Sequence, residues 1–257
     1  MIGLSPDVLN SIRSLLEEYF DDMTLALLGL VVDDSTQELV FDTEQNNLVS
    51  LYVKSLNSEH MTIEEEDTLK TLLGVTHDYT EALKSNTKAS VVNSLNSYAQ
   101  GQNNKKEFIS SDVVESIINK QMEVAENKFK VIASAQSNVT KNVGLSMAYT
   151  KMAEQQGENE AIVFFRPVPV DERTAPATLQ VHLLPDQVTP RLYYMKEVNM
   201  NYYKKGDKTC SIFGTHPYCR CVFSYLANSY GFDSEGKVVY KEKGHNELLK
   251  QREQFPL

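Results

Sequence analysis

The sequence predicts an α+β protein: a mainly α-helical N-terminal region, followed by a long helix and a small mixed or antiparallel β domain. Three observations predict it. Apolar residues recur at three- and four-residue steps from Leu9 through Met147, as they do on the buried face of helices. After Gly157 the texture changes to short β-prone runs, the first being Ala161-Ile162-Val163-Phe164-Phe165. Lys205-Gly206-Asp207 and Asp233-Ser234-Glu235-Gly236 then supply turn chemistry between later runs.

The first helix has a start signal in Ser5, an N-cap type, and in Pro6, which is tolerated at the first helical position. Its stripe runs through Leu9, Ile12, Leu16, Tyr19, Phe20, Met23, Leu27 and Leu30. Val31-Val32-Asp33-Asp34-Ser35 ends it, and the acidic, amide-rich run from Gln37 to Asn47 predicts a turn of the chain. A short helix is expected from Leu48 to about Leu56. Thr62-Ile63-Glu64-Glu65 has the form of a capping box, in which threonine and glutamate satisfy each other's backbone N–H. The helix it opens passes through Leu69, Leu72 and Leu73 towards Leu83, and a further helix is expected from about Ser90 to Tyr98.

The polar loop from Gln100 to Lys106 has no apolar period, so it marks the expected boundary between residues 1–108 and 109–257. Beyond it Asp112 and Glu115 form a second capping signature. The period continues through Val114, Ile118, Ala125, Phe129, Ile132, Val139, Val143 and Met147, predicting one long helix, or two nearly collinear ones, that ends before Gly157. Gly144 within it marks a kink or a close helix contact. The prolines of Arg166-Pro167-Val168-Pro169-Val170 take the chain out of regular structure. Val181-His182-Leu183-Leu184, Leu192-Tyr193-Tyr194, the segment from Tyr218 to Tyr225, and Val238-Val239-Tyr240 are the remaining expected strands. The charged tail from Lys241 through Leu257 reads as a short helix or a segment that orders on a partner.

With 41% hydrophobic and 23% charged residues, the composition excludes wholesale disorder. A net charge of −10 disfavours a surface that grips nucleic-acid phosphates over its whole extent. Three cysteines, an odd number, without a secretory pattern at the N-terminus, predict a reducing compartment and no disulfide framework. No apolar run is long enough to cross a bilayer, so the expectation is a soluble protein without membrane contact.

The densest chemistry lies in Gly214-Thr215-His216-Pro217-Tyr218-Cys219-Arg220-Cys221. In an extended segment a Cys-x-Cys pair turns both sulfurs to one face and Arg220 to the other. Cys210, His216, Cys219 and Cys221, spaced Cys-x5-His-x2-Cys-x-Cys, offer the sulfur and nitrogen donors of a tetrahedral zinc site. The plain alternative is three reduced cysteines acting as small buried apolar side chains.

Read together, several stretches resemble the phage Mu F-like minor head (head morphogenesis) proteins of tailed bacteriophages. They are the helix segment Lys130-Val131-Ile132-Ala133-Ser134-Ala135-Gln136-Ser137-Asn138-Val139, then Lys141-Asn142-Val143-Gly144, a strand, Asp171-Glu172-Arg173-Thr174, and finally His216-Pro217-Tyr218-Cys219-Arg220-Cys221. The last is similar to the family's His-Pro-Asn-Cys-Arg-Cys, with Tyr218 in place of asparagine. The likeness covers roughly residues 110 to 225.

The resemblance implies a virion structural protein rather than an enzyme: a minor capsid component at the portal vertex or head interior, made in the host cytoplasm, oligomeric within the virion and supporting head assembly and DNA packaging or delivery. Its implied partners are the portal protein, the major capsid protein and packaged double-stranded DNA, with residues 1–108 as the docking region. One departure bears on the metal. Where the family pattern runs Asp-x-Arg-Thr-Cys-x-x-Cys, this chain has Ala175 and Thr178 in place of both cysteines. Cys210 together with His216 or His182 would then have to complete a zinc site, or Ala175 and Thr178 fill the space without metal.

Two other classes stay open. Asp171, His182 and Cys219 supply the residue types of a nucleophile, a base and its orienting group, as in a small metal-dependent or cysteine enzyme. A zinc-stabilised adaptor outside any virus is the other. Tyr193, Tyr194, Tyr202 and Tyr203, with Lys196, Lys204, Lys205 and Lys208, form the most basic and aromatic stretch, suited to stacking on bases or to a protein interface.

Overall fold

The computed structural model describes residues 6–32, 39–58, 60–101, 109–166, 174–216, 219, 221–242 and 250. The expectations placed on Ser5, Asp33 to Ser35, Gln37, Gln102 to Lys106, Pro167 to Arg173, Pro217, Tyr218, Arg220 and tail residues 243–249 and 251–257 lie outside the described residues. In chain order the elements are α1 (Pro6–Leu28), β1 (Leu30–Val32), β2 (Leu39–Phe41), α2 (Leu48–Leu56), α3 (Ile63–Gly101), α4 (Ser111–Gln155), β3 (Ile162–Arg166), α5 (Pro176–His182), β4 (Leu192–Tyr194), a 3-10 turn (Met195–Glu197), β5 (Val222–Tyr225), β6 (Tyr230–Phe232) and β7 (Val238–Tyr240). Among the described residues long helices are combined with small sheets whose strand pairs are antiparallel, so the α+β class holds. Among the described residues no helix is long and apolar enough to cross a membrane.

The chain divides into two compact units, Met1–Ser50 with Asp67–Gln136, and Leu51–Glu66 with Ser137–Leu257. The division therefore does not fall at the expected boundary near residue 108. The physical reason is packing across that loop. Ile12 and Leu16 of α1 form one apolar cluster with Val91 and Leu95 of α3 and with Val114, Ile117, Ile118 and Met122 of α4. Phe20 forms the next with Leu83, Ala125 and Phe129. At the margin of this unit the buried Lys84 bridges Asp21 at 2.7 Å and Glu81 at 2.6 Å.

In the second unit β3 is the central strand of the sheet order β4-β3-β5 and is buried on both faces from Ile162 through Phe165. Its alternation sends Ile162 and Phe164 into a cluster with Leu192, Leu226 and Phe232. The opposite face sends Phe165 against Phe223 and against His182 of α5. Tyr149 of α4 covers Phe223 and Tyr225 on β5, with ring centroids at 5.5 and 5.8 Å.

The capping box forms as expected. The Thr62 N–H donates to the Glu65 carboxylate at 2.7 Å, and the Glu65 N–H donates to Thr62 Oγ1 at 3.3 Å. The second oxygen of Glu65, which is 1% exposed, receives Lys151 Nζ of α4 at 2.6 Å. Gly144 marks a close contact: a Cβ there would lie 2.8 Å from Ser55 Cβ and 3.0 Å from the Tyr52 carbonyl oxygen. The fully buried Tyr52 hydroxyl donates to the Glu65 carbonyl at 3.0 Å.

Four expectations need correction. The separate helices ending near Leu83 and starting near Ser90 are one, α3. Asp112, expected as a cap, lies inside the first turn of α4, where its charge meets the helix N-terminus. Val181 and His182 are helical and not extended. Leu39–Phe41, inside the run from Gln37 to Asn47 expected as a turn, form strand β2.

Two outcomes follow from the Gly144 contact and the Glu65 network. Gly144→Ala lowers stability by about 1–3 kcal/mol, since its Cβ meets backbone as well as a side chain; thermal or urea denaturation measures this. Burial works against the Glu65 carboxylate, but Lys151 and Thr62 more than compensate and hold its pKa below the ordinary value. Its contribution to stability is thus fully present above the ordinary carboxylate pKa and is lost as pH falls through the lowered one. In denaturation series from neutral pH to pH 3, the gap between wild type and Glu65→Gln should be widest at neutral pH and shrink towards the acid end.

Candidate metal centre

Pro176 begins α5, where its fixed φ and missing N–H are tolerated, and Thr178, Val181 and His182 then fall three and four residues apart on the buried side. His182 ends the helix with no exposed surface, its ring stacked on Phe165 at 4.9 Å and 23°. Neither ring nitrogen has a hydrogen-bond partner. Cys219 is buried and Cys221 half-buried on the segment leading into β5. One nitrogen of His182 and the two sulfurs all lie within 4.8 Å of one another.

Side chains of α4 hold the cysteine-bearing loop. Asn138 Nδ2 donates to the Cys219 carbonyl at 3.1 Å, and one turn along, Asn142 Nδ2 donates to the Ile212 carbonyl at 2.9 Å. Within the loop the Cys219 N–H donates to the His216 carbonyl at 2.9 Å. Gly214 has φ +74°, and a Cβ on it would lie 2.6 Å from Cys219 Cβ and 3.0 Å from its sulfur. Thr178 Oγ1 and Thr215 Oγ1 are 2.6 Å apart, and Thr215 Oγ1 approaches the Cys219 sulfur at 4.0 Å.

The Cys219 thiol is pulled down to about 3. The adjacent Cys221 thiol contributes most, and His182 and the backbone N–H groups at Thr215 and Cys221 add to it against the opposing effect of burial. Two sulfurs and an imidazole nitrogen are the donors a thiophilic ion takes. A buried imidazole without hydrogen bonds fits that use, because an ion would give it the partner that the surrounding protein does not.

Of the four expected ligands, Cys219 and Cys221 belong to this group, while Cys210 and His216 do not. Burial pushes the Cys210 thiol up and the negative charge of Glu197 adds to the effect, so it stays protonated. His216 is half-buried and meets Cys219 through its backbone carbonyl. His182 stands in their place. The sequence offers it as an alternative ligand, but the four residues from Val181 to Leu184 also suit a strand, which hides the helical spacing of Thr178, Val181 and His182 behind Pro176. Thr178 meets Thr215 of the loop, whereas Ala175 sits at the N-cap position of α5.

For the enzyme reading, His182 and Cys219 are together, and Asp171 lies outside the described residues. The wall formed by Asn138, Asn142, Phe165, Phe213, Gly214 and the two cysteines leaves no room for a water-sized molecule. The tyrosine stretch is only partly available to a ligand. Tyr193 is fully buried and its hydroxyl donates to the Val181 carbonyl. Tyr202 is exposed and rests on Phe213 at 4.6 Å, and Lys196 Nζ lies 5.4 Å from the Tyr194 ring.

Comparison of the chain with protein-family models, with curated proteins and with solved structures gives no match.

Gly214→Ala should weaken metal binding by about tenfold or more, because its Cβ must displace Cys219. Gly157→Ala is the control: it has a similar φ of +72° with open space around it, so it shares the backbone strain but leaves the metal affinity unchanged. Competition with a chromogenic chelator measures both.

Proposed function

We propose that this chain is a non-catalytic structural protein of the Mu F-like minor head class, which docks at the portal vertex or head interior of a tailed phage and supports head assembly and DNA packaging. Zinc held by His182, Cys219 and Cys221 is the cofactor of this reading, and it serves as a clasp for the fold. One observation carries the proposal. Helix and loop stretches that bear the family likeness, far apart along the chain, meet at one place: Asn138 and Asn142 of the long helix bind the loop that carries Cys219.

The burial of Cys219, with no water-sized space in the gap it lines, supports a structural use of that sulfur over a catalytic one, since a nucleophile needs space for a reacting carbon beside it. On this reading Leu15, 67% exposed on α1, is an apolar side chain that docking of the N-terminal helices would cover. The cysteine-enzyme reading draws on a different observation, the lowered thiol of Cys219 beside His182. Zinc binding with no portal or capsid binding would favour the adaptor.

The test is co-purification of the full chain with the portal protein encoded nearest to it, and with the major capsid protein. The full chain is required because α1, α3 and α4 share apolar clusters. Retention on portal rings, weakened about tenfold by Leu15→Glu, is the expected result. Absence of the chain from portal rings, capsid shells and purified particles would overturn the proposal.

A further inference from the structure

The three thiols of this chain differ in access. Cys210 has no exposed surface and Cys219 very little, while Cys221 is half-buried, so a small molecule in solvent meets Cys221 first. The Cys219 sulfur lies within 4.8 Å of the Cys221 sulfur. No side chain of residue 214 intervenes, because that position is glycine packed directly on Cys219.

We propose that Cys219 and Cys221 form a redox-active dithiol, which low-molecular-weight disulfides of the glutathione class convert into an intramolecular Cys219–Cys221 bridge. In the first step the Cys221 thiolate attacks one sulfur of the disulfide RSSR; a Cys221–SR bond forms, the RS–SR bond breaks, and RS⁻ leaves. In the second the Cys219 thiolate attacks the Cys221 sulfur, the Cys221–SR bond breaks, and a second RS⁻ leaves. The dithiol loses two electrons, RSSR gains them, and the two protons of the dithiol end on the two released thiols.

The same sulfurs are the proposed metal ligands, so bridging and metal binding exclude each other. A thiol–disulfide poise would therefore load the centre in a reducing compartment and empty it in an oxidising one. The exchange itself does not depend on the head-protein reading, and only its inhibition by zinc depends on the metal reading.

The experiment exposes the full chain, reduced and freed of metal with a chelator, to mixtures of glutathione and glutathione disulfide under native conditions. Acid quenching, denaturing alkylation and peptide mass spectrometry then locate each thiol. The expected result is a bridge between residues 219 and 221 without a retained glutathione, reversal by dithiothreitol, and Cys210 reduced throughout. Cys219→Ser should instead keep a stable glutathione adduct on Cys221, and prior addition of zinc should slow bridging of the wild type about tenfold or more. A persistent glutathione adduct on wild-type Cys221, or thiols at 219 and 221 that stay reduced at every ratio, overturns the proposal. Should bridging proceed at the same rate with zinc present, the mutual exclusion of metal and bridge is overturned while the dithiol stands.

Discussion

A fully buried imidazole without a hydrogen bond on either nitrogen is the constraint from which the second unit is best understood. Each unsatisfied polar group in such a place costs about 1–3 kcal/mol. Around His182 lie the aromatic ring of Phe165 and the sulfurs of Cys219 and Cys221. Its position is nevertheless strongly determined. Pro176 starts the helix that carries it, Thr178 ties that helix to the cysteine loop, and Phe165 of the most buried strand closes the ring face. A metal ion resolves the conflict by satisfying a nitrogen and two thiolates at once.

Among its described residues, the loop that brings in the sulfurs has little regular structure between the 3-10 turn and β5. Its place comes from α4. Two amides one helical turn apart, on Asn138 and Asn142, reach backbone carbonyls at Cys219 and Ile212, so the spacing of a helical turn sets the place of the loop. That helix is itself fixed within the same unit by Gly144 against Ser55 and Tyr52 and by Lys151 on Glu65. The candidate metal centre thus depends on contacts distributed along α4, from Asn138 to Lys151.

Much of this frame was legible in the residues because local chemistry and tertiary contact agree there. Thr62 and Glu65 make the reciprocal bonds their spacing implies, α2 spans Leu48–Leu56 as its apolar run indicates, and Gly144 stands where two helices touch. Legibility failed where polar residues take buried positions. On α3, Thr76, Thr80, Lys84 and Thr87 follow a helical period but are polar, each satisfied by an i−3 or i−4 carbonyl or by a carboxylate, so the inward stripe looked interrupted. His182 was misplaced for a related reason, since a helix of seven residues offers too few turns to outweigh the β-like run at its end. The metal donors were half visible: the Cys-x-Cys spacing is local, while the third donor comes from another element and only the folded chain brings it near.

The most direct measurement is the metal content of the full chain purified under reducing conditions without chelator, by elemental analysis and native mass spectrometry, beside His182→Ala and Cys219→Ser. One zinc per chain in the wild type, lost in both variants while Cys210→Ser keeps it, is the predicted result. A wild type that carries no metal and takes up none when zinc is supplied would contradict the account, and would leave His182 an unsatisfied imidazole held by packing alone.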